Sequence, residues 1–304
     1  MKKFKFVLFK IICGVLFCLL GVYVVCFAIP KATSYEIYKE KEVKTKIYNV
    51  WHVETFEGGS KARIDFLKNT AREIEKKNAG ILFMFKQISP ENLTAELEIF
   101  TPEIISFGFG VGKVVLPYLV ELTNTYNVRD TFVKSAKFNN SVMCLPYIAS
   151  GYAYFTHATA SEKLCFGSSC YVYPQSAISN DNLLLFSCAS QYEAYKTFIY
   201  DKKSALVGTA RDVFRVSNLN DIGRLSATIT PINSYTDLMQ YCGITLSDNI
   251  TQTFIKNLLT NENQLNLVNY SLFSVKNNKI YSSGIYSDIE EAIFNAKVPN
   301  VFYE

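Results

Sequence analysis

Trp51 and His52 close an apolar run, and Glu57-Gly58-Gly59 stand just beyond them. An indole face, an imidazole and a carboxylate beside two glycines make a binding chemistry. Sugar rings present apolar C–H faces that stack on aromatic planes, carboxylates and guanidinium groups meet hydroxyls, and glycine lets backbone come close to a ligand. Further along, Phe109 lies within Gly108-Phe109-Gly110-Val111-Gly112, Tyr147 and Tyr152 lie near Tyr154, and Arg211-Asp212 is followed by Arg215. Twenty Tyr, 23 Phe and one Trp make the chain rich in such planes. Each has a plainer alternative. Aromatic residues fill cores, a lone histidine is usually a satisfied structural group, and Arg211, Asp212 and Arg215 could form a local ion-pair network.

Catalytic patterns are missing. The chain has no G-x-S-x-G, no H-E-x-x-H and no G-x-x-x-x-G-K-[ST]. Its two histidines, His52 and His157, exclude a multi-histidine metal centre. Glu54 and Glu57 flank one loop, with no clear carboxylate opposite them for glycoside hydrolysis. The glycines at 108, 110 and 112 are spaced G-x-G-x-G, which is not a dinucleotide fingerprint. No enzyme, cofactor or metal is expected. Cys165 and Cys170 could close a small disulfide hairpin in an oxidising compartment, or stay as free, half-buried thiols.

The elements that must position these residues begin as an alternation. Ile47–His52 reads as a buried strand. A helix is predicted over Lys61–Lys77, with Ile64, Leu67, Ala71 and Ile74 on its inner face, Ser60 as its cap and Gly80 as its stop. Ile81–Phe85 is a second strand. Ser89-Pro90-Glu91 starts a second helix, and Pro102–Phe107 is a third strand. This β-α-β-α-β order predicts a parallel sheet covered by helices, with ligand sites beyond the carboxyl ends of the strands. Beyond it, the pattern predicts a short helix at Leu116–Tyr126, strands at Met143–Tyr147 and Gly151–Phe155, and irregular chain over residues 156–190. Then follow a helix at Tyr192–Tyr200, a strand at Ser204–Gly208, a helix from Thr209 and a strand at Ala227–Ile232. Last come helices at Tyr235–Cys242, Thr251–Thr260 and Ser287–Ala296.

Composition bounds the rest. The 304 residues are 49% apolar and 19% charged, enough for a sizeable core. Of the 31 basic residues, Lys2, Lys3, Lys5 and Lys10 precede any acid, which leaves 27 basic against 27 acidic groups in the remainder. A formally neutral body argues against nucleic-acid binding. Ile11–Ile29 is an uninterrupted apolar run of 19 residues. It is long enough to span a membrane, and the lysines before it predict a cytoplasmic N-terminus and an extracellular body at the cell membrane. A cleaved signal ending near Ala28 is the competing reading, and the length of the run favours an anchor. Residues 31–46 read as a polar stalk.

Several segments, in order, resemble bacterial extracellular solute-binding proteins of the carbohydrate-binding type, the receptors of ABC importers. They are Val50-Trp51-His52 through Phe56-Glu57-Gly58-Gly59-Ser60-Lys61-Ala62-Arg63; Pro102-Glu103-Ile104-Ile105-Ser106-Phe107-Gly108; Cys144-Leu145-Pro146-Tyr147 with Gly151-Tyr152-Ala153-Tyr154-Phe155; Ala194-Tyr195 through Phe198 with Lys203-Ser204-Ala205 and Gly208-Thr209-Ala210-Arg211-Asp212-Val213-Phe214-Arg215; and Tyr235–Tyr241 with Gln264 and Leu272–Val275. The resemblance implies an α/β, periplasmic-binding-protein type II-like fold, two lobes around a cleft that closes on a ligand. It implies a first lobe from residues 47–148 and 223–280, and a second from 149–222 and 281–304. The chain is shorter than typical members between Phe155 and Gln191, which predicts a reduced second lobe. The implied partners are a carbohydrate and ABC transporter membrane subunits, with Trp51, His52, Glu57, Gly58, Gly59, Phe109, Tyr147, Tyr152, Arg211 and Asp212 at the ligand. The alternative is a degenerate binding fold serving as a surface protein-interaction or sensory module.

Overall fold

A computed structural model describes residues 2–28, 45–55, 61–159, 161–167 and 183–303. The chain divides into an N-terminal unit, Met1–Lys46, and a body, Ile47–Glu304. In the first unit α1 (Lys2–Tyr23) continues through a π-helical turn, Val24–Ala28. Among the described residues no helix is long and apolar enough to cross a membrane.

The body is built on two five-stranded sheets. The first contains β1 (Lys46–Val53), β2 (Ile81–Ile88), β3 (Ile104–Gly108), β6 (Leu145–Ala149) and β12 (Met239–Ile244) in the order β2-β1-β3-β12-β6. β4 (Lys137–Phe138) and β5 (Ser141–Val142) form a small antiparallel hairpin. β1 and β3 run parallel, Trp51 level with Ile105 and His52 with Ser106. The predicted alternation accounts for this half: α2 (Ala62–Lys77) buries Ile64, Leu67, Ala71 and Ile74 as expected, and α3 (Leu93–Ile99) follows a 3₁₀ turn opened by Pro90. α2 begins on Lys61 at its cap position; the expected cap Ser60 lies outside the described residues. Gly80 takes the left-handed conformation (φ 82°) expected of a stop. α4 (Gly112–Val115) and α5 (Asp130–Lys134) complete this stretch.

The second sheet contains β7 (Tyr152–His157), β8 (Lys163–Gly167), β9 (Leu184–Cys188), β10 (Ser204–Thr209) and β11 (Ala227–Pro231), in the order β11-β7-β10-β8-β9. α6 (Gln191–Tyr200) and α7 (Ala210–Asp221) flank it. β8 and β9 fall in the stretch 156–190, which was expected to be irregular. They are short, β8 pairs in parallel with β10 and β9 in parallel with β8, so tertiary pairing rather than local pattern makes them strands. The second sheet therefore has as many strands as the first.

Two further corrections concern the later chain. Residues 116–126 carry only a 3₁₀ turn, Leu116–Tyr118, and Tyr126 and Asn127 have positive φ. Pro117 allows a turn start but supplies no amide hydrogen to extend it. The segment expected as a helix at Tyr235–Cys242 instead enters β12, whose six residues are all buried. An apolar run buried on both faces has no period that separates strand from helix. β12 is antiparallel to both β3 and β6. It carries the chain back into the first sheet only after β11, so the return comes later than residue 223. α8 (Asn249–Leu258) and α9 (Asn261–Asn266) then cover the first sheet's side, and α10 (Gly284–Asn295) packs near the second. The final residues, expected beside the second sheet, pack against the first: Val301 N donates to Ser135 O at 2.8 Å, and the Phe302 ring lies 6.5 Å from that of Phe107 in β3.

Candidate functional site

The carboxyl ends of β1 and β3 meet the start of β12, and here a set of polar side chains is buried. His52 and Gln240 have no exposed surface. His52 Nδ1 lies 3.0 Å from Ser106 Oγ, the Tyr147 hydroxyl is 2.8 Å from the same oxygen, and Gln240 Nε2 donates to it at 2.9 Å. One serine of β3 thus meets side chains from three other strands, β1, β6 and β12. Burial, then the nearby Arg63 guanidinium, pulls the His52 pKa down to about 3, so the ring is neutral near pH 7. Burial also pushes the Tyr147 hydroxyl well above its ordinary range.

The network is not closed. His52 Nε2, Gln240 Oε1 and Thr55 Oγ1 are buried without a hydrogen-bond partner among the described residues. Unpaired buried polar atoms are uncommon and costly, and they mark places where a ligand or solvent completes the structure. Thr55 belongs to the same corner. A β-carbon at Gly108 would collide with its side chain and come within 3.2 Å of Met239 O, so only glycine lets the end of β3 pass beneath the loop after β1.

The chain crosses between the sheets beside this corner. β6 leads through Ser150 and Gly151 into β7, and residues 232–238 lead from β11 into β12. Ser150 N donates to Leu238 O at 2.7 Å, and Thr236 Oγ1 donates to Ser150 O at 2.8 Å. Gly151 has no side chain because Ile293 of α10 occupies that space. Tyr152 opens β7, and its hydroxyl donates to Asp237 Oδ1 at 2.7 Å. Asp237 is 3% exposed, and its Oδ2 has no partner. Burial pushes its pKa up to about 6.

The structure separates the sequence-predicted residues into groups. His52 and Tyr147 come together through Ser106, and Tyr152 stands at the crossing with Asp237. Phe109 and Gly110 form a half-exposed turn after β3, with Gly110 at φ 96°. Glu57, Gly58 and Gly59 lie outside the described residues. Trp51 is not an open platform: its ring is 3% exposed, 6.0 Å from Phe100, with Lys86 Nζ 5.2 Å above it. Alternation along β1 sends Trp51 to the opposite face of the sheet from His52. Asp212 is structural. It is 1% exposed, accepts from Thr209 N at 3.1 Å and from Gln191 Nε2 at 2.8 Å, and pairs with Arg215 at 3.2 Å, which fixes the start of α7. Arg211, half-buried, immediately precedes it on the same turn. Cys165 is a buried free thiol, and Cys170 lies outside the described residues.

Sequence reading missed Ser106, Gln240, Thr55 and Asp237 as site residues. Ser106, Asp237 and Gln240 lie inside the quoted motifs, and a polar residue in an apolar strand, as in Ile104-Ile105-Ser106-Phe107, was the available signal.

No protein-family model matches the chain, and no curated protein matches it by sequence. Solved structures do. The GacH receptor of Streptomyces glaucescens, described unliganded and with acarbose, matches with a TM-score of 0.59 at 10% identity, over 82% of this chain and 86% of that one. A cyclo/maltodextrin-binding protein complexed with maltotetraose matches at 0.56 and 12% identity, over 86% and 88%. The maltose/maltodextrin-binding domain MalE of Bdellovibrio bacteriovorus, bound to maltotriose, matches at 0.53 and 10% identity, over 84% and 89%. These neighbours are binding proteins, and this chain shares their fold.

Proposed function

We propose that this protein binds a carbohydrate of the oligosaccharide class at the junction of its two sheets, as the receptor of an ABC importer. The observation that carries the reading is the unclosed polar corner: His52 Nε2, Gln240 Oε1 and Thr55 Oγ1 are buried and unpartnered where the parallel strands end. A ligand bearing many hydroxyls, each both donor and acceptor, suits such a set. The fold is one in which solved proteins hold maltotriose, maltotetraose and acarbose. The 19-residue apolar run Ile11–Ile29, with four lysines ahead of it, would hold the body outside the cell membrane, N-terminus inside. Calorimetric titration with linear and cyclic maltodextrins, xylo-oligosaccharides and monosaccharides tests the reading. Saturable heat with one class is expected; silence across the panel would overturn it.

A second reading, a surface module that binds a protein, draws on one observation. Leu82 and Met84 on edge strand β2, with Ile99 and Phe100 at the end of α3, are exposed apolar side chains. Hydrogen exchange separates the two readings. A sugar would protect the ends of β1 and β3, and a protein partner would protect β2.

A further inference from the structure

The Asp237 carboxylate is held at one oxygen and open at the other. Oδ1 accepts from the Tyr152 hydroxyl at 2.7 Å, and Oδ2 has no partner although the residue is 3% exposed. The backbone around it is fixed: Thr236 Oγ1 is bonded to Ser150 O, and Met239 N donates to Asp237 O at 2.8 Å. The group cannot relax toward solvent without breaking the crossing. The charged and titratable groups electrostatically linked to it are Tyr152 from β7 and Tyr241 from β12, and no Lys or Arg neutralises it. Among the described residues no group of three His, Cys, Asp or Glu could hold a metal ion.

Tyr152 begins the second sheet, and Asp237 precedes the strand that returns to the first. A donor on Oδ2 would therefore complete a link between both lobes and the ligand. We propose that Asp237 is a ligand-binding residue whose Oδ2 accepts a hydrogen bond from a hydroxyl of the bound sugar, with Tyr152 positioning the carboxylate. The proposal rests on the carbohydrate reading above and names the residue that joins ligand recognition to the crossing.

The test uses the detergent-solubilised full chain and its Asp237→Asn and Tyr152→Phe variants. Each is titrated calorimetrically with maltotriose and the sugar panel, and melted at pH 8. A hydrogen bond to a charged acceptor predicts that Asp237→Asn weakens binding tenfold or more. Its melting temperature at pH 8 should be equal to or above that of the wild type, because a buried unpaired charge has been removed. Tyr152→Phe keeps the acceptor and should lose less affinity. Unchanged affinity in Asp237→Asn would overturn the proposal while leaving the carbohydrate reading intact. A lower melting temperature in Asp237→Asn would make the carboxylate structural and overturn it whatever the ligand. A wild type silent to every sugar would remove the carbohydrate reading, and this proposal with it.

Discussion

His52 Nδ1 lies 3.0 Å from Ser106 Oγ, across the parallel pair β1–β3. The serine oxygen also meets Tyr147 and Gln240, so a single small side chain satisfies groups from three other strands. Ser106→Ala would leave those groups buried without it. The expected cost is about 2–3 kcal/mol, above the cost of one ordinary hydrogen bond, because the desolvation of the stranded groups is not recovered. Chemical denaturation at pH 7 measures it, and a loss under about 0.5 kcal/mol would show that the network is not integral.

His52 makes stability depend on acid. Its folded pKa is about 3 against 6.5 unfolded, so between these values the unfolded chain binds the extra proton. Its contribution is fully present above pH 6.5 and falls as the pH drops toward 3, by about 1.4 kcal/mol per unit. His52→Gln should lose about 2 kcal/mol less than the wild type between pH 7 and pH 5. Parallel denaturation curves for the two proteins would contradict this.

Asp237 acts in the opposite direction. Its folded pKa is raised to about 6 from 3.8, so the folded state holds the proton longer. Stability contributed by the protonated form is present below pH 3.8 and is lost as the pH rises through 6. Asp237→Asn should gain on the wild type by about 2–3 kcal/mol between pH 3.5 and pH 8. Between pH 4 and 6 the His52 and Asp237 slopes oppose each other, and the Asp237→Asn variant should show the His52 slope more plainly. A variant-to-wild-type difference that is flat with pH would mean the carboxylate is solvated.

Gly108 and Thr55 should behave as a pair. Gly108→Ala drives a β-carbon into the Thr55 side chain, with an expected loss of about 1–3 kcal/mol. Thr55→Gly removes the atoms struck first, and the double variant should recover at least half of that loss. Additive losses in the double-mutant cycle would place the strain at Met239 O instead.

Asp212 separates structure from binding. Asp212→Ala removes the acceptor of Thr209 N and Gln191 and the partner of Arg215, and should cost about 2 kcal/mol. Sugar affinity, measured below the melting transition, should stay within twofold. A tenfold loss of affinity with normal stability would return Asp212 to the ligand.

The first half of the fold was legible in the sequence because its signals are local. α2 shows its buried stripe at helical spacing, Pro90 marks a helix entry, and Gly80 marks an exit. β8, β9 and β12 were not legible, because their identity comes from partners distant in sequence. The site was legible in part for the same reason. His52 and Tyr147 could be named from residue type, but Ser106, which lies between them, is visible only once β1, β3, β12 and β6 stand in order in one sheet. Residue type alone gave Trp51 no face: one residue from His52, it points the other way and is buried.

β12 sits in the middle of the first sheet between β3 and β6, yet it follows the entire second sheet in the chain. Phe302 then completes the core around Phe107. During synthesis the early strands have no central neighbour to close on, so the first sheet cannot finish until nearly the whole body has emerged. Such long-range closure is slow. Completion of the first sheet therefore waits on two late segments, Met239–Ile244 and the Val301-Phe302 pair.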